Sequence, residues 1–272
     1  MIYFPYAKIN IGLNVIRKRE DGLHDIKSVF YPLPIKDVLE IRPAADGEET
    51  TFVQTGIPLM MEYQEDNLVM KAYRLLAENY PQIPALNIHL HKIIPPQAGL
   101  GGGSSDAAFT LLLINRVCEL DIPSEQLHEY AKQLGSDVAF FLQNEPKYVL
   151  GAGDILRDTR MDLSGYWLTL LKIPDGISTK EAYEHITPCM ARIRYEKMMP
   201  VYRWKSSLRN DFEPYVFEKY PVLAAFKDYF YKMGAKFVSL TGTGSCIYAV
   251  STNKLDLKDI TDNALFLWQG ML

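Results

Sequence analysis

The chain carries four glycines in five residues, Gly99, Gly101, Gly102 and Gly103 around Leu100, directly before Ser104, Ser105, Asp106 and an apolar run. Glycines feeding a helix start leave backbone N–H groups free at the positive end of the dipole, where an anion such as phosphate is held. The hydroxyls of Ser104 and Ser105 are available there to a phosphate or a magnesium ion. A tight loop that merely packs closely is the competing account, and four glycines in so short a span weigh against it.

Neither common nucleotide signature fits the loop. A Walker P-loop needs Lys after its last glycine, and Gly103 is followed by Ser104. A strict G-x-G-x-x-G fails too, because Gly99 and Gly101 lead to Ser104, and Gly101 and Gly103 lead to Asp106. The stretch Gly103-Ser104-Ser105-Asp106-Ala107 comes near the nucleophile elbow G-x-S-x-G but has alanine where the second glycine belongs, which leaves a hydrolase as a distant reading.

Other polar residues have two readings each. Asp137 precedes the apolar Val138-Ala139-Phe140-Phe141-Leu142, so it is either a dipole-stabilised helix start or a carboxylate available to chemistry. Lys8 is either solvated on a strand or, beside Asn10 in apolar surroundings, set to stabilise a carboxylate or alkoxide. His89 and His91 share a strand face, but no third ligand accompanies them and alternating polar positions account for both. His24 follows a turn and reads equally as a loop residue or a ligand contact. The basic and aromatic stretch Met190 to Arg209 could face single-stranded nucleic acid, although a solvated helical face suits a net charge of −4 better.

The elements that must hold these residues follow from periodicity. Ile9, Ile11, Leu13 and Val15 alternate with Lys8, Asn10, Gly12 and Asn14, which predicts a half-buried strand. Asp21-Gly22 predicts a hairpin turn onto a second strand. Residues 66–79 read as a helix capped by Asp66 or Asn67, and residues 86–117 as strand, glycine loop, helix. A helix over Ser124 to Leu134 stops at Gly135, and another starts after Asp137. Lys147 to Leu156 reads as a strand with a glycine break, Tyr166 to Pro174 as a buried strand, and Ser178-x-x-Glu181 as a capping box opening a helix with Tyr183. Phe217 to Met233 reads as one helix, and Ala235 to Ser251 as strand, glycine turn, strand.

Composition bounds the class. With 272 residues, 48% of them hydrophobic, the chain can bury two cores of ordinary domain size, and a boundary falls within Asp158 to Gly165, giving domains 1–160 and 161–272. The 29 Lys and Arg against 33 Asp and Glu argue against a broad grip on nucleic acid. Cys118, Cys189 and Cys246 are widely spaced, which fits reduced thiols in a cytoplasmic protein. The N-terminus does not read as a signal peptide, and no apolar run is long enough to span a membrane.

Several stretches together resemble a known family. Pro95 to Ser105, as Pro-x-x-x-Gly-Leu-Gly-x-x-Ser-Ser, resembles the phosphate motif of the galactokinase, homoserine kinase, mevalonate kinase and phosphomevalonate kinase (GHMP) superfamily. More narrowly, AKINIGLNVIRKREDGLHDIKSVF, AGLGGGSSDAA, LGSDVAFFL, GAGDIL, GISTKEAY, RNDFE and LTGTGSCIYAV stand in the order found in the 4-diphosphocytidyl-2-C-methyl-D-erythritol kinase family. The resemblance implies an α+β fold of two domains, the first like ribosomal protein S5 domain 2 and the second ferredoxin-like, with the site in the cleft between them. It implies ATP and Mg2+ as cofactors, and phosphorylation of a small-molecule alcohol in isoprenoid precursor synthesis.

Carried over residue by residue, the resemblance makes Lys8 and Asp137 the catalytic pair. It puts Asn67, Leu68 and Lys92 near adenine, and Gly99, Leu100, Gly101, Gly102, Gly103, Ser104 and Ser105 on the phosphates. It places Asn10, His24, Thr179, Tyr183, Gly242, Thr243 and Gly244 about the acceptor. Leu23 stands where that family carries a Tyr, and Gln97 and Ala98 where it has glycines, so weaker cytidine recognition and a stiffer loop start are expected. Another small-alcohol kinase of the superfamily, or a nucleotide-binding regulator without turnover, are the alternatives.

Overall fold

The computed structural model of the chain describes residues 1–58, 67–189, 200–258, 260 and 264–272. Helices and sheets are mixed along the chain, in agreement with the α+β expectation, and the contacts divide them into two compact units. One comprises Met1–Lys8, Pro32–Pro96 and Gly101–Glu145; the other comprises Ile9–Tyr31, Gln97–Leu100 and Pro146–Leu272.

In the first unit, strands β1 (Ile2–Tyr3), β4 (Val38–Pro43), β6 (Leu86–Lys92) and β5 (Thr51–Gly56) form a sheet in that order, β5 running parallel to β6. Leu86, Ile88 and Leu90 point into the core as the alternation requires. Helix α1 (Leu68–Asn79) begins at Asn67, whose side chain accepts from the Val69 N–H, so the cap falls one residue after Asp66, which lies outside the described residues. Helix α2 (Gly102–Val117) is buried along most of its length and packs against α1, α3 (Ser124–Leu134) and α4 (Val138–Gln143). A helix enclosed on all sides explains why its sequence lacks a polar face.

In the second unit, β10 (Phe237–Leu240), β11 (Cys246–Ser251), β9 (Trp167–Lys172) and β12 (Phe266–Met271) make an antiparallel sheet, with helix α8 (Pro221–Lys232) against β10 and β11. The long strands β2 (Tyr6–Lys18) and β3 (His24–Lys36) join β7 (Lys147–Leu150) and β8 (Ile155–Asp158) in a third sheet. The remaining α-helices of this unit among the described residues are α5 (Thr179–Glu184), α6 (Trp204–Ser207) and α7 (Glu213–Lys219).

Three sequence expectations change. The strand around Lys8 is buried on both faces from Ala7 to Val15 and not on one alone, because Lys8, Asn10 and Asn14 each find a polar partner, Asp137, Ser28 and Asp211 in turn. Lys147 to Leu156 is a hairpin of two antiparallel strands, since Gly151 and Gly153 both take positive φ and reverse the chain. The helix read over Phe217 to Met233 is two helices separated at Tyr220. Pro221 offers no N–H and bars helical backbone in the residue before it. Of the basic and aromatic stretch, residues 190–199 lie outside the described residues. No helix among the described residues is long and apolar enough to cross a membrane.

Candidate active site

Asp137 occupies the residue before α4, but its carboxylate does not cap that helix. Its Oδ2 lies 3.3 Å from the Lys8 Nζ instead, and Lys8 is only 3% exposed while Asp137 is 30% exposed. Burial pushes the Lys8 ammonium below the ordinary lysine value, and the charge and hydrogen bond of Asp137 work against that shift. The product is a desolvated cation held beside a carboxylate that solvent still reaches. Such a pair can accept a proton at the carboxylate while the ammonium steadies developing negative charge.

The glycines divide by cause. At Gly101, φ is 71°, and a Cβ would stand 2.7 Å from the Phe141 ring and 3.1 Å from the Lys8 stem, so the loop is threaded past the Lys8 side chain with no room for methyl. At Gly102, a Cβ would stand 2.9 Å from Ile94 and 3.2 Å from the Lys92 Nζ. Gly103 is different. Its backbone is helical, it is exposed, and a Cβ there would meet nothing closer than Leu68 at 3.6 Å. Glycine inside a helix costs about 1 kcal/mol relative to alanine, and packing gives no reason for it here. An absent side chain on an open helix start leaves backbone within reach of a ligand.

Behind this start, the buried Ser105 Oγ has no partner, and neither does the Asp106 Oδ1. Ser105 is fully buried within α2, which does not suit the exposed, strained serine of a nucleophile elbow. Ser104 is half-buried, and Leu68 opens α1 beside its cap Asn67. Lys92 does not extend freely toward a base: its ammonium is clasped by Asp37 and, at 2.6 Å, by Asp106. Burial opposes that charge, but the two carboxylates outweigh it and hold Lys92 above the ordinary lysine value. Asp106 moves the other way from a usual carboxylate: burial raises it to about 8. Sequence reasoning missed Asp37 and Asp106 as a pair, although a carboxylate one residue before a buried Ala-Ala-Phe run already demanded a cation.

The second unit gathers the residues expected about the acceptor. The Asn10 side chain is fully engaged, accepting from the Gly242 N–H at 3.0 Å and donating to the Ser28 Oγ at 3.1 Å. The Thr241 hydroxyl accepts from the Asn10 N–H and donates to the Gly99 carbonyl, both within 3.1 Å. Asn10 thus holds the Thr241–Gly244 turn, which Thr241 ties to Gly99, with Thr243 and Gly244 buried and Gly242 partly open. Asn210 ties the same turn by donating to the Leu240 and Gly242 carbonyls at 2.9 and 2.8 Å, a role sequence reasoning did not assign.

His24 stacks on Tyr183 with ring centroids 4.7 Å apart and planes 25° from parallel, and Tyr183 meets Phe212 edge-on. Burial, with a smaller push from Lys18, lowers His24 from the ordinary histidine value, which favours the neutral ring. Thr179 is exposed at the first turn of α5, and Leu23 is 51% exposed beside His24. His89 and His91 both meet the Thr55 hydroxyl at 2.9 Å, and no group of three or more His, Cys, Asp or Glu among the described residues could hold a metal ion.

Comparison with known proteins places this geometry. The GHMP kinases N terminal domain matches residues 67–145 and the GHMP kinases C terminal domain matches 201–265. A 4-diphosphocytidyl-2-C-methyl-D-erythritol kinase of Parabacteroides distasonis is 42% identical over the whole of both chains. Another of that name, from Cytophaga hutchinsonii, is 43% identical with 93% of each chain covered. A crystal structure of 4-(cytidine 5'-diphospho)-2C-methyl-D-erythritol kinase superposes with a TM-score of 0.77 at 27% identity, covering 92% of this chain and 90% of that one. Methanococcus jannaschii mevalonate kinase shares the fold at a TM-score of 0.71 and 11% identity, covering 100% of this chain and 98% of its own. With full-length relatives above 40% identity and both kinase domains matched, the chain belongs to the GHMP kinases and, among them, to the 4-diphosphocytidyl-2-C-methyl-D-erythritol kinase family.

Proposed function

We infer that this chain transfers the γ-phosphoryl group of ATP to the 2-hydroxyl of 4-diphosphocytidyl-2-C-methyl-D-erythritol, a step toward isoprenoid precursors. The observation that carries the reading is the desolvated Lys8 ammonium 3.3 Å from Asp137, with Gly101 threaded against the Lys8 stem. Asp137 takes the proton of the attacking hydroxyl. Lys8 holds that carboxylate in place and stabilises charge on the transferring group, and positioning supplies most of the remaining acceleration.

The backbone of Gly101 to Ser104 receives the phosphates, with Gly99 and Leu100 leading into it; Asn67 and Leu68 line the approach of the nucleoside, and Lys92 stands behind the loop, held by Asp37 and Asp106. His24, Thr179 and Tyr183 receive the cytidine end, and the Asn10-held turn Gly242-Thr243-Gly244 faces the remainder of the acceptor. Mg2+ is usually held by one or two carboxylates together with substrate phosphates. No acidic cluster is present among the described residues, and the donors are hydroxyls, one of them the unpartnered Ser105 Oγ. That set fits an ion arriving on the polyphosphate, with Ser104 and Ser105 as its protein contacts. When bound, the ion neutralises phosphate charge.

Mixing the chain with Mg-ATP and 4-diphosphocytidyl-2-C-methyl-D-erythritol should release ADP and yield a new phosphomonoester at the 2-position by phosphorus spectroscopy. Turnover only with another alcohol moves the chain to a different acceptor. Bound ATP without any ADP release makes it a nucleotide-binding regulator.

Gly103 supplies a test of the loop itself. Gly103→Ala should stabilise the fold by up to about 1 kcal/mol and at the same time weaken ATP binding. Opposite signs in a melting curve and a nucleotide titration are expected; equal or improved ATP affinity would remove Gly103 from the nucleotide contact.

A further inference from the structure

Lys92, Asp37 and Asp106 are all nearly buried, at 3%, 0% and 2% exposure. They are not placed as an ordinary stabilising pair. Lys92 closes β6, Asp106 sits in the second turn of α2, and Asp37 precedes β4. Between β6 and α2 lies the whole glycine-rich connection. Asp37 binds its entry, its Oδ1 accepting from the backbone N–H groups of Ile93 and Ile94. Lys92 binds its exit, reaching Asp106 at 2.6 Å and standing 3.2 Å from where a Gly102 Cβ would be.

The electrostatics are otherwise hard to justify. A cation near the start of α2 opposes the helix dipole. Charges buried this deeply are often no better for stability than apolar residues of equal volume. One Asp106 oxygen is also left without a partner. An arrangement that serves stability poorly but joins both ends of one loop has its use in the loop.

We propose that Lys92, Asp37 and Asp106 form a buried ionic clamp that fixes the entry and exit of the glycine-rich connection, so that its N–H groups meet the nucleotide phosphates already ordered. Lys92 is thereby a positioning residue, acting through Gly102 and α2 and not by touching the base. The inference rests on the nucleotide reading given above, and it separates the phosphate end of ATP from the adenosine end.

The test is calorimetric titration of ATP and of adenosine into the wild-type chain and the variant Lys92→Met/Asp37→Asn/Asp106→Asn, which replaces all three ionisable groups together and leaves no charge buried alone. ATP should bind about tenfold more weakly, the scale of one lost preorganisation term, with adenosine binding within about twofold of wild type. Equal loss for both ligands puts Lys92 against the base and overturns the clamp; unchanged ATP affinity overturns it as well. Wild-type chain that binds no ATP would instead defeat the nucleotide reading. Should the triple variant fail to fold, Asp106→Ala, which removes the acceptor that Lys92 reaches at the loop exit, decides the matter. A loss confined to ATP supports the clamp, and no loss or an equal loss for adenosine overturns it.

Discussion

Asp137→Asn should lower kcat by about 10² to 10⁴, the usual contribution of a positioned general base, while the ATP dissociation constant stays within about twofold. The carboxylate is 30% exposed and does not cap α4, so the amide replaces it without a helix penalty. What is lost is the proton acceptor and the partner of a buried ammonium. Lys8 then keeps its desolvation without its counter-charge, and its proton leaves at still lower pH. In the wild type the same logic places an alkaline limb in kcat below the ordinary lysine value of 10.5. Steady-state ADP release across pH checks both statements. Wild-type turnover in the variant would remove Asp137 from proton transfer.

Gly99→Ala should destabilise the fold by roughly 2–4 kcal/mol, combining left-handed strain with overpacking. At Gly99, φ is 69°, and a Cβ would lie 2.0 Å from the Thr241 carbonyl oxygen, which is backbone and has no rotamer to escape into. Gly242 faces it from the other side, where a Cβ would lie 2.9 Å from the Gly99 Cα. The substitution therefore pushes apart the turn that Asn10 and Thr241 hold. A drop in melting temperature is expected, in contrast to the rise for Gly103→Ala only four residues on in sequence. An unchanged melting temperature would show that the turn relaxes freely.

Local signals in the chain carried far. The helix start at Gly102, the strand before it, the Ser178 cap and the placement of Asp137 ahead of α4 were all legible, because caps, periodicity and turn residues act within a few positions, although the Glu181 carboxylate binds Tyr215 and Lys219 in place of closing a capping box. Glycine count pointed to the loop, but not to the separate reasons for its members: Gly99 answers to the Thr241 backbone, Gly101 to Phe141 and Lys8, and Gly103 to no packing partner among the described residues.

Long-range pairing was hidden. Asn10 read as a residue on an open strand face, yet its partner turn lies more than 230 positions away, and that pairing is what buries it. Lys92 read as a nucleoside contact, while Asp37, which binds it, carries no sequence pattern that marks it. Pro221 was visible and passed over, which merged α7 and α8.

The His24–Tyr183 pair has a consequence for how a flat ligand is received. Its rings already cover one another, so under the proposed function a base that parts them exchanges one stack for another. Each aromatic contact is worth about 0.5–1.5 kcal/mol, and most of that cancels in the exchange. Selection then falls to the donors and acceptors along the edge of the base.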